Sequence, residues 1–360
     1  MFSVILAAAL ALQAVPAPAA VPAQLDVPPS PEQVLAIPPE MERDFLKHVV
    51  NSTHSPEQRL NRLSDFMFHE DRLGLKYMPN ATQTITEAYG TRQVNCLSFT
   101  LMFVTLARKA GFQAYGQQID RVLAWGMTGD VVMQSMHANA VVTFEGRKFM
   151  ADIAAEGLSA PVANFQVDDE HLLALFYSNR AMELLATGHA REAQAWLDVA
   201  LIHSPTDATL LNNAGVLSQR RGDSAAAESS YLRSLGENPR LTSAYYNLIG
   251  LYRANGDVTK TAYWQQRAEK ILRKDPYYQF SLGRQLEQSG DYAEAVGLYR
   301  KAIRINDDEP LFHFGLARAY YQLGQSRRAG LELGLARDLS GDADRIRYQA
   351  KLDALSLLKR

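Results

Sequence analysis

A period of 34 residues in the second half of the chain constrains its fold more than any other feature. Glycines recur at that spacing: Gly188, Gly222, Gly256, Gly290 and Gly324. Five residues after each glycine comes a small side chain: Ala193, Ala227, Thr261, Ala295 and Ala329. Glycine enters left-handed turns without steric cost, and small residues at fixed offsets let two helices approach closely. The period therefore predicts a stack of helix–turn–helix units.

This pattern resembles the tetratricopeptide repeat (TPR), a helix–turn–helix unit of the same length. Segments that carry the resemblance are Gly222–Ala227 and Gly290–Ala295, and it covers residues 171–340 as about five repeats. Residues 341–360 are expected to form a C-terminal cap helix. The resemblance implies an all-α solenoid whose concave face binds a peptide or protein segment.

Aromatic and arginine side chains also follow the period. Tyr246, Phe280 and Phe314 recur every 34 residues, and Arg284 and Arg318 follow four positions after the last two. If these positions line the groove, they form an aromatic–arginine ladder suited to a peptide backbone or a carboxylate. The alternative interpretation is that the aromatic rings pack between helices.

Cys96 is the only cysteine of the chain and stands at a predicted helix start. An apolar run follows it and ends before Gly111, which predicts a buried helix that begins at Asn95. In the first turn, unpaired backbone N–H groups and the positive end of the helix dipole favour a thiolate. The pattern favours a reactive thiol over the alternative, a small buried core residue.

A β-hairpin is predicted over residues 137–153, with Glu145-Gly146 as its two-residue turn. In that register Phe144 pairs with Arg147 and Asn139 pairs with Asp152. Because side chains alternate along a strand, His137 and Asp152 then lie on the same face. A carboxylate orients an imidazole, and the imidazole takes the proton of a thiol, so Cys96, His137 and Asp152 are a candidate catalytic triad.

A cysteine on a helix, a histidine on a strand and an aspartate on the next strand resemble the transglutaminase-like superfamily. The resemblance implies a papain-like α+β domain over residues 40–168, with Cys96 as nucleophile, His137 as general base and acid, and Asp152 as the orienting group. Many members have a glycine shortly before the cysteine, whereas Val94 and Asn95 stand here. Hydrolysis and amine capture of the acyl-enzyme stay open, as does an inactive adaptor that binds proteins through its repeats.

The remaining sequence features bound the location and the partners. Residues 1–23 are apolar and then rich in Ala and Pro, which predicts a signal peptide, and residues 24–39 are expected to be a Pro-rich linker. We therefore expect a periplasmic or secreted protein without a membrane-spanning helix. A net charge of −2 offers no basic surface for nucleic acid. No metal or cofactor motif is found, so no cofactor is expected.

Overall fold

The computed structural model describes residues 27–128, 131–153, 157–159, 165–340, 345–346 and 348–352. The expected signal peptide, residues 1–23, and the first residues of the expected linker lie outside these ranges. The chain forms two compact units, which divide between Pro239 and Arg240. None of the helices in the described ranges is long and apolar enough to cross a bilayer.

Short helices and one long buried helix open the first unit. They are α1 (Pro31–Val34), α2 (Pro39–Phe45) continued by a π-helical turn (Leu46–Val50), α3 (Pro56–Phe68), α4 (Ile85–Thr91) and α5 (Cys96–Lys109). Ser55 caps α3, since its side chain accepts a hydrogen bond from the Gln58 N–H at 3.4 Å. Asn95 caps α5, which confirms the predicted helix start.

Two sheets accompany these helices. Strands β1 (Lys76–Tyr77) and β2 (Gln93–Val94) form a short parallel pair. The larger sheet contains β3 (Gln113–Thr128), β4 (Val131–Phe144), β5 (Arg147–Asp152), β6 (Gly157–Ser159) and β7 (Phe165–Val167). Its described strands pair antiparallel in the order β6-β5-β4-β3-β7. The described part of residues 27–167 therefore combines helices with a short parallel pair and an antiparallel sheet.

The turn and the register near the turn of the predicted hairpin are confirmed by β4 and β5, whereas the expected pair of Asn139 with Asp152 stays a prediction. Phe144 pairs with Arg147, and the register continues to Ala140 and Ala151. Glu145 and Gly146 have φ values of 47° and 73°, the positive values that a type I′ turn requires.

Helix α5 packs against this sheet. Its Cys96, Phe99 and Phe103 share one apolar cluster with Ala140 of β4 and Ala151 of β5. Almost the whole helix is buried, as its continuous apolar sequence predicts. The start of α5 therefore packs in the apolar cluster that it shares with the sheet.

Helix pairs fill the rest of the chain. They are α6 (Asp169–Ala186) and α7 (Ala190–His203), α8 (Ala208–Arg220) and α9 (Ser224–Glu237), α10 (Thr242–Ala254) and α11 (Val258–Leu272), α12 (Pro276–Gln288) and α13 (Tyr292–Ile305), α14 (Pro310–Gln322) and α15 (Ser326–Asp338). Each periodic glycine lies in the turn within a pair and has a φ between 71° and 89°. The 34-residue period therefore records the turn inside each repeat.

The repeats pack through glycines that leave no room for a side chain. A Cβ on Gly215 would lie 2.4 Å from the Tyr231 ring, and a Cβ on Gly283 would lie 2.7 Å from the Tyr299 ring. Both tyrosines are fully buried. The first helix of a repeat thus approaches the second at the ring of a tyrosine.

Candidate functional site

Cys96 is the first residue of α5, where the sequence places the nucleophile. Its side chain is only 5% exposed, and it belongs to the apolar cluster beneath the sheet. The expected position at a helix start is therefore correct, but the thiol is buried rather than open to solvent.

A buried hydrogen-bond chain fixes that first turn. Asn95 accepts a hydrogen bond from the Ser98 N–H at 2.9 Å and donates its amide N–H to Thr82 Oγ1 at 2.7 Å. The Ser98 hydroxyl accepts from the Gln83 N–H at 2.7 Å and donates to the Ala81 carbonyl at 3.3 Å. The loop of residues 81–83 thus holds the residues on both sides of Cys96.

Tyr77 interacts electrostatically with the proposed thiol site, although no motif in the sequence selects it. Its strand β1 pairs with β2, which ends one residue before Asn95, and Tyr77 is in register with Val94. Burial raises the pKa of the Tyr77 hydroxyl, and negative charge on Cys96 and Asp152 raises it further. Tyr77 is therefore within electrostatic reach of both residues, and it is 45% exposed.

The two predicted partners of Cys96 lie on neighbouring strands. Asp152 ends β5 and is buried at 7% exposure. His137 lies in β4, where its backbone is in register with Ile119 of β3. The side chain of His137 lies outside the described residues, so its distance to Cys96 and Asp152 stays a prediction. The described part of the chain holds no cluster of His, Cys, Asp and Glu suited to a metal ion.

Two of the expected groove residues of the second unit, Phe280 and Arg318, contact other side chains of the protein. Phe280 is 2% exposed and packs against Tyr299 and Phe312, with ring centroids 5.3 Å away in both cases. For Phe280, the alternative of packing between helices is therefore correct. The Arg318 guanidinium donates to the Glu287 carboxylate, so it already has a carboxylate partner within the protein.

Phe314 is covered by the end of the chain. The Tyr348 ring lies 5.2 Å from its ring, and the Lys351 ammonium lies over it at 5.2 Å. Tyr348 follows Phe314 by one further period, a signal that the sequence contained beyond the last repeat. The described residues 345–346 and 348–352 are helical, and the other residues of the expected cap helix lie outside the described ranges.

Tyr246 and Arg284, the other two expected groove residues, interact electrostatically with each other. The Tyr246 hydroxyl is hydrogen-bonded to Ser281, and its pKa is raised by burial against the opposing positive charges of Arg284 and Arg253. Helix α10 therefore places this phenol within electrostatic reach of the Arg253 and Arg284 guanidinium groups and of the Asp275 carboxylate. A phenol and two guanidinium groups suit a carboxylate or a peptide carbonyl.

Comparisons with known proteins bear on the repeats. A family model described as TPR repeat matches residues 283–324. A thermophilic TPR protein of Thermus thermophilus is similar at 20% identity and a TM-score of 0.41, covering 50% of this chain and 98% of that one. YrrB, described as a TPR protein with an unusual peptide-binding site, has 20% identity and a TM-score of 0.31 over 49% and 92% of the two chains.

A third solved structure, PilF of Pseudomonas aeruginosa, has 17% identity and a TM-score of 0.39 over 52% of this chain and 91% of its own. No curated protein matches the chain. The family match runs from α12 to the turn after α14, and the other helix pairs repeat the same turn at the same period. The helical array of this chain is therefore composed of tetratricopeptide repeats.

Proposed function

We propose that this chain is an exported thiol enzyme that acts on amide bonds, with a transglutaminase-like domain before its TPR array. Cys96 is the nucleophile, His137 is the general base and acid, and Asp152 orients the imidazole. The observation that carries the proposal is the place of Cys96 at the capped start of α5, with Tyr77 in reach of both Cys96 and Asp152.

The chemistry follows from that arrangement. The Cys96 thiolate attacks the carbonyl carbon of an amide, and the amine leaves with a proton from His137. The resulting thioester is then resolved by water or by a second amine. We assign stabilisation of the oxyanion to backbone N–H groups in the first turn of α5. Hydrolysis makes the protein a peptidase or amidase, and capture by an amine makes it a transglutaminase.

We assign binding of the partner to the TPR array. TPR proteins bind peptides or proteins, and we propose that a segment of the substrate binds near Tyr246 and Arg284. A peptide carboxylate or side-chain carboxylate fits the positive charges there. This assigns recognition to the array and chemistry to the thiol domain.

Two observations favour a second function, an inactive transglutaminase-fold adaptor that binds proteins through its repeats. Cys96 is 5% exposed, as a core cysteine would be. The residues of β4 and β5 that share its cluster include Ala140 and Ala151, which alternate with Asn139 and Asp152 along the strands. Strand alternation turns Asp152 toward the opposite face unless the end of β5 bends.

An activity-based experiment separates these functions. The full chain is treated with a peptide thioester probe, and acylation of Cys96 is followed by intact mass. The enzyme is expected to be acylated, and His137→Ala should slow the reaction by about a hundredfold, the typical worth of a general acid–base group. His189→Ala, at an exposed turn of the array, is the matched control.

The pH profile of Cys96 alkylation completes the test. If alkylation rises only near the ordinary thiol pKa of about 8.5 and is the same in His137→Ala, the chain is an adaptor rather than an enzyme. Arg284→Ala should weaken acylation by a peptide probe that carries a carboxylate and leave a small uncharged probe unaffected. Equal loss with both probes would remove the array from substrate recognition.

A further inference from the structure

We propose that Glu183, in the first helix of the TPR array, is a positioning residue for Cys96, because its carboxylate orients the hydrogen-bond chain that caps α5. The inference rests on the proposed function, in which Cys96 is the nucleophile. It connects the array to the thiol site through described contacts within the first compact unit.

The carboxylate of Glu183 is buried and makes three hydrogen bonds. Its Oε1 accepts from the Thr82 N–H at 3.2 Å and from Thr82 Oγ1 at 2.6 Å. Its Oε2 accepts from the Arg180 guanidinium at 3.3 Å. The side chains of Arg180 and Glu183 are only 9% and 13% exposed. Glu183 therefore joins α6 to the loop that precedes the cysteine helix.

The Thr82 hydroxyl has one proton and can therefore donate only one hydrogen bond. This fixes which group donates at each step of the hydrogen-bond chain. Thr82 Oγ1 donates that proton to Glu183, so it accepts from the Asn95 amide at 2.7 Å. The amide of Asn95 must then turn its oxygen toward the Ser98 N–H, which it accepts at 2.9 Å. As long as Glu183 is ionised, this orientation of the Asn95 amide is favoured. Cys96 lies in the chain between Asn95 and Ser98, the two residues that the capping hydrogen bond joins.

Protonation of Glu183 removes this preference. Burial raises the pKa of Glu183 to about 7, against the hydrogen bonds from Thr82 and the charge of Arg180. Arg180 is the charged group that faces Glu183 from its own helix, and the loop contributes only the uncharged Thr82 among the described residues. Near neutral pH, the cap of α5 therefore depends on the ionisation of a residue in the repeats.

Hydrogen exchange tests the coupling on the full chain. In the wild type, exchange over residues 95–101, corrected for the intrinsic pH dependence, should become roughly fivefold faster between pH 8.5 and pH 5.5. That factor corresponds to the loss of a cap worth about 1 kcal/mol. Glu183→Gln should exchange fast at every pH, and Thr82→Val should match it. Glu294→Gln, at an exposed position of α13, is the control.

Acylation of Cys96 by the thioester probe is the second measurement. Glu183→Gln should lower the acylation rate about fivefold at pH 8.5, and the double variant with Thr82→Val should be no slower than either single variant. Unchanged exchange in the wild type across this pH range overturns the coupling without any variant that must fold. Faster exchange with unchanged acylation in Glu183→Gln overturns the positioning role.

Failure of the proposed function gives a different result. If wild-type Cys96 is not acylated, the enzyme proposal fails and the positioning role fails with it, while the exchange data still decide whether Glu183 controls the cap. If acylation depends on His137 but not on Glu183, the enzyme proposal stands and this inference is overturned.

Discussion

The region of residues 27–167 and the TPR array differ in the sequence separation of the hydrogen bonds that stabilise each of them. In the array, hydrogen bonds join neighbours along the chain, such as Tyr299 with Glu287, 12 residues apart, and Ser234 with the Ala208 carbonyl, 26 residues apart. The N-terminal region is tied by longer connections: Thr86 reaches the Ala36 carbonyl over 50 residues, and Thr82 reaches Glu183 over 101. These hydrogen bonds of the array thus join neighbouring helices, whereas the N-terminal region adds long-range polar contacts to its apolar core.

The largest effect is expected where the array packs most tightly. Gly283→Ala would bring a Cβ to 2.7 Å from the ring of the fully buried Tyr299. Such overpacking should lower the free energy of unfolding by about 3 kcal/mol. Gly297→Ala, in the next helix with open space around it, should raise that free energy by roughly 0.5 kcal/mol. Urea denaturation followed by circular dichroism measures both.

If the free energy of unfolding falls in Gly283→Ala and rises in Gly297→Ala, then repeat packing, and not helix propensity, is the reason that position 283 requires glycine. A loss of similar size in both variants would contradict this. The local nature of the array also predicts that hydrogen exchange at the start of α5 is the same in Gly283→Ala as in the wild type.

Caps in the two regions give the next largest effect. Asn95→Ala removes the α5 cap and also leaves the buried Thr82 hydroxyl without its donor. We expect a loss of about 2 kcal/mol in the free energy of unfolding, the sum of a cap and a buried hydrogen bond. Asp257→Ala removes the α11 cap, in which Asp257 accepts from the Lys260 N–H, and should cost about 1 kcal/mol.

Equal losses in these two cap variants would mean that the link from Asn95 to Thr82 adds nothing. That result would remove the energetic basis of the difference between the regions. The same denaturation experiment measures both, with far-ultraviolet circular dichroism as the signal.

Periodic and local features were predictable from the sequence. The glycine turns at the 34-residue spacing, the Asn95 cap and the register of Phe144 with Arg147 all follow from residues close together in the chain. Each depends on backbone geometry that the local sequence dictates. The helix pairs and the hairpin could therefore be read before the structure was known.

Contacts between distant segments could not be predicted in the same way. Nothing near Tyr77 shows that it approaches Cys96, and nothing near Glu183 shows that it meets Thr82. The groove prediction was wrong for Phe280 because an aromatic residue at a repeat position serves packing as well as binding. The burial of Cys96 follows from the cluster around α5, which only the folded chain assembles.

A smaller effect concerns a buried histidine of the array. Hydrogen bonds from His313 to the Glu332 carboxylate at 2.7 Å and to the Asp307 carbonyl at 3.0 Å raise the pKa of His313, against the opposing effect of burial. A raised folded-state pKa stabilises the protein fully below the unfolded value of about 6.5, and this stabilisation is lost as the pH rises through the folded value.

Wild-type stability should therefore fall by about 1 kcal/mol more than that of His313→Gln between pH 5.5 and pH 8.5. Urea denaturation at both pH values measures the difference, and His189→Gln at an exposed turn serves as the control. Parallel pH dependence of the wild type and His313→Gln would show that the ion pair with Glu332 contributes nothing to the array.

The smallest effect tests whether the period continues past the last repeat. Tyr348 stands one period after Phe314 and packs on its ring at 5.2 Å. Tyr348→Ala should lower the free energy of unfolding by about 0.5 kcal/mol, the lower range for an aromatic pair. Ile346→Ala, at a side chain that is 71% exposed, should change it by less than that. If Tyr348→Ala behaves like Ile346→Ala in urea denaturation, the cap adds no packing energy and the repeated local contacts end with α15.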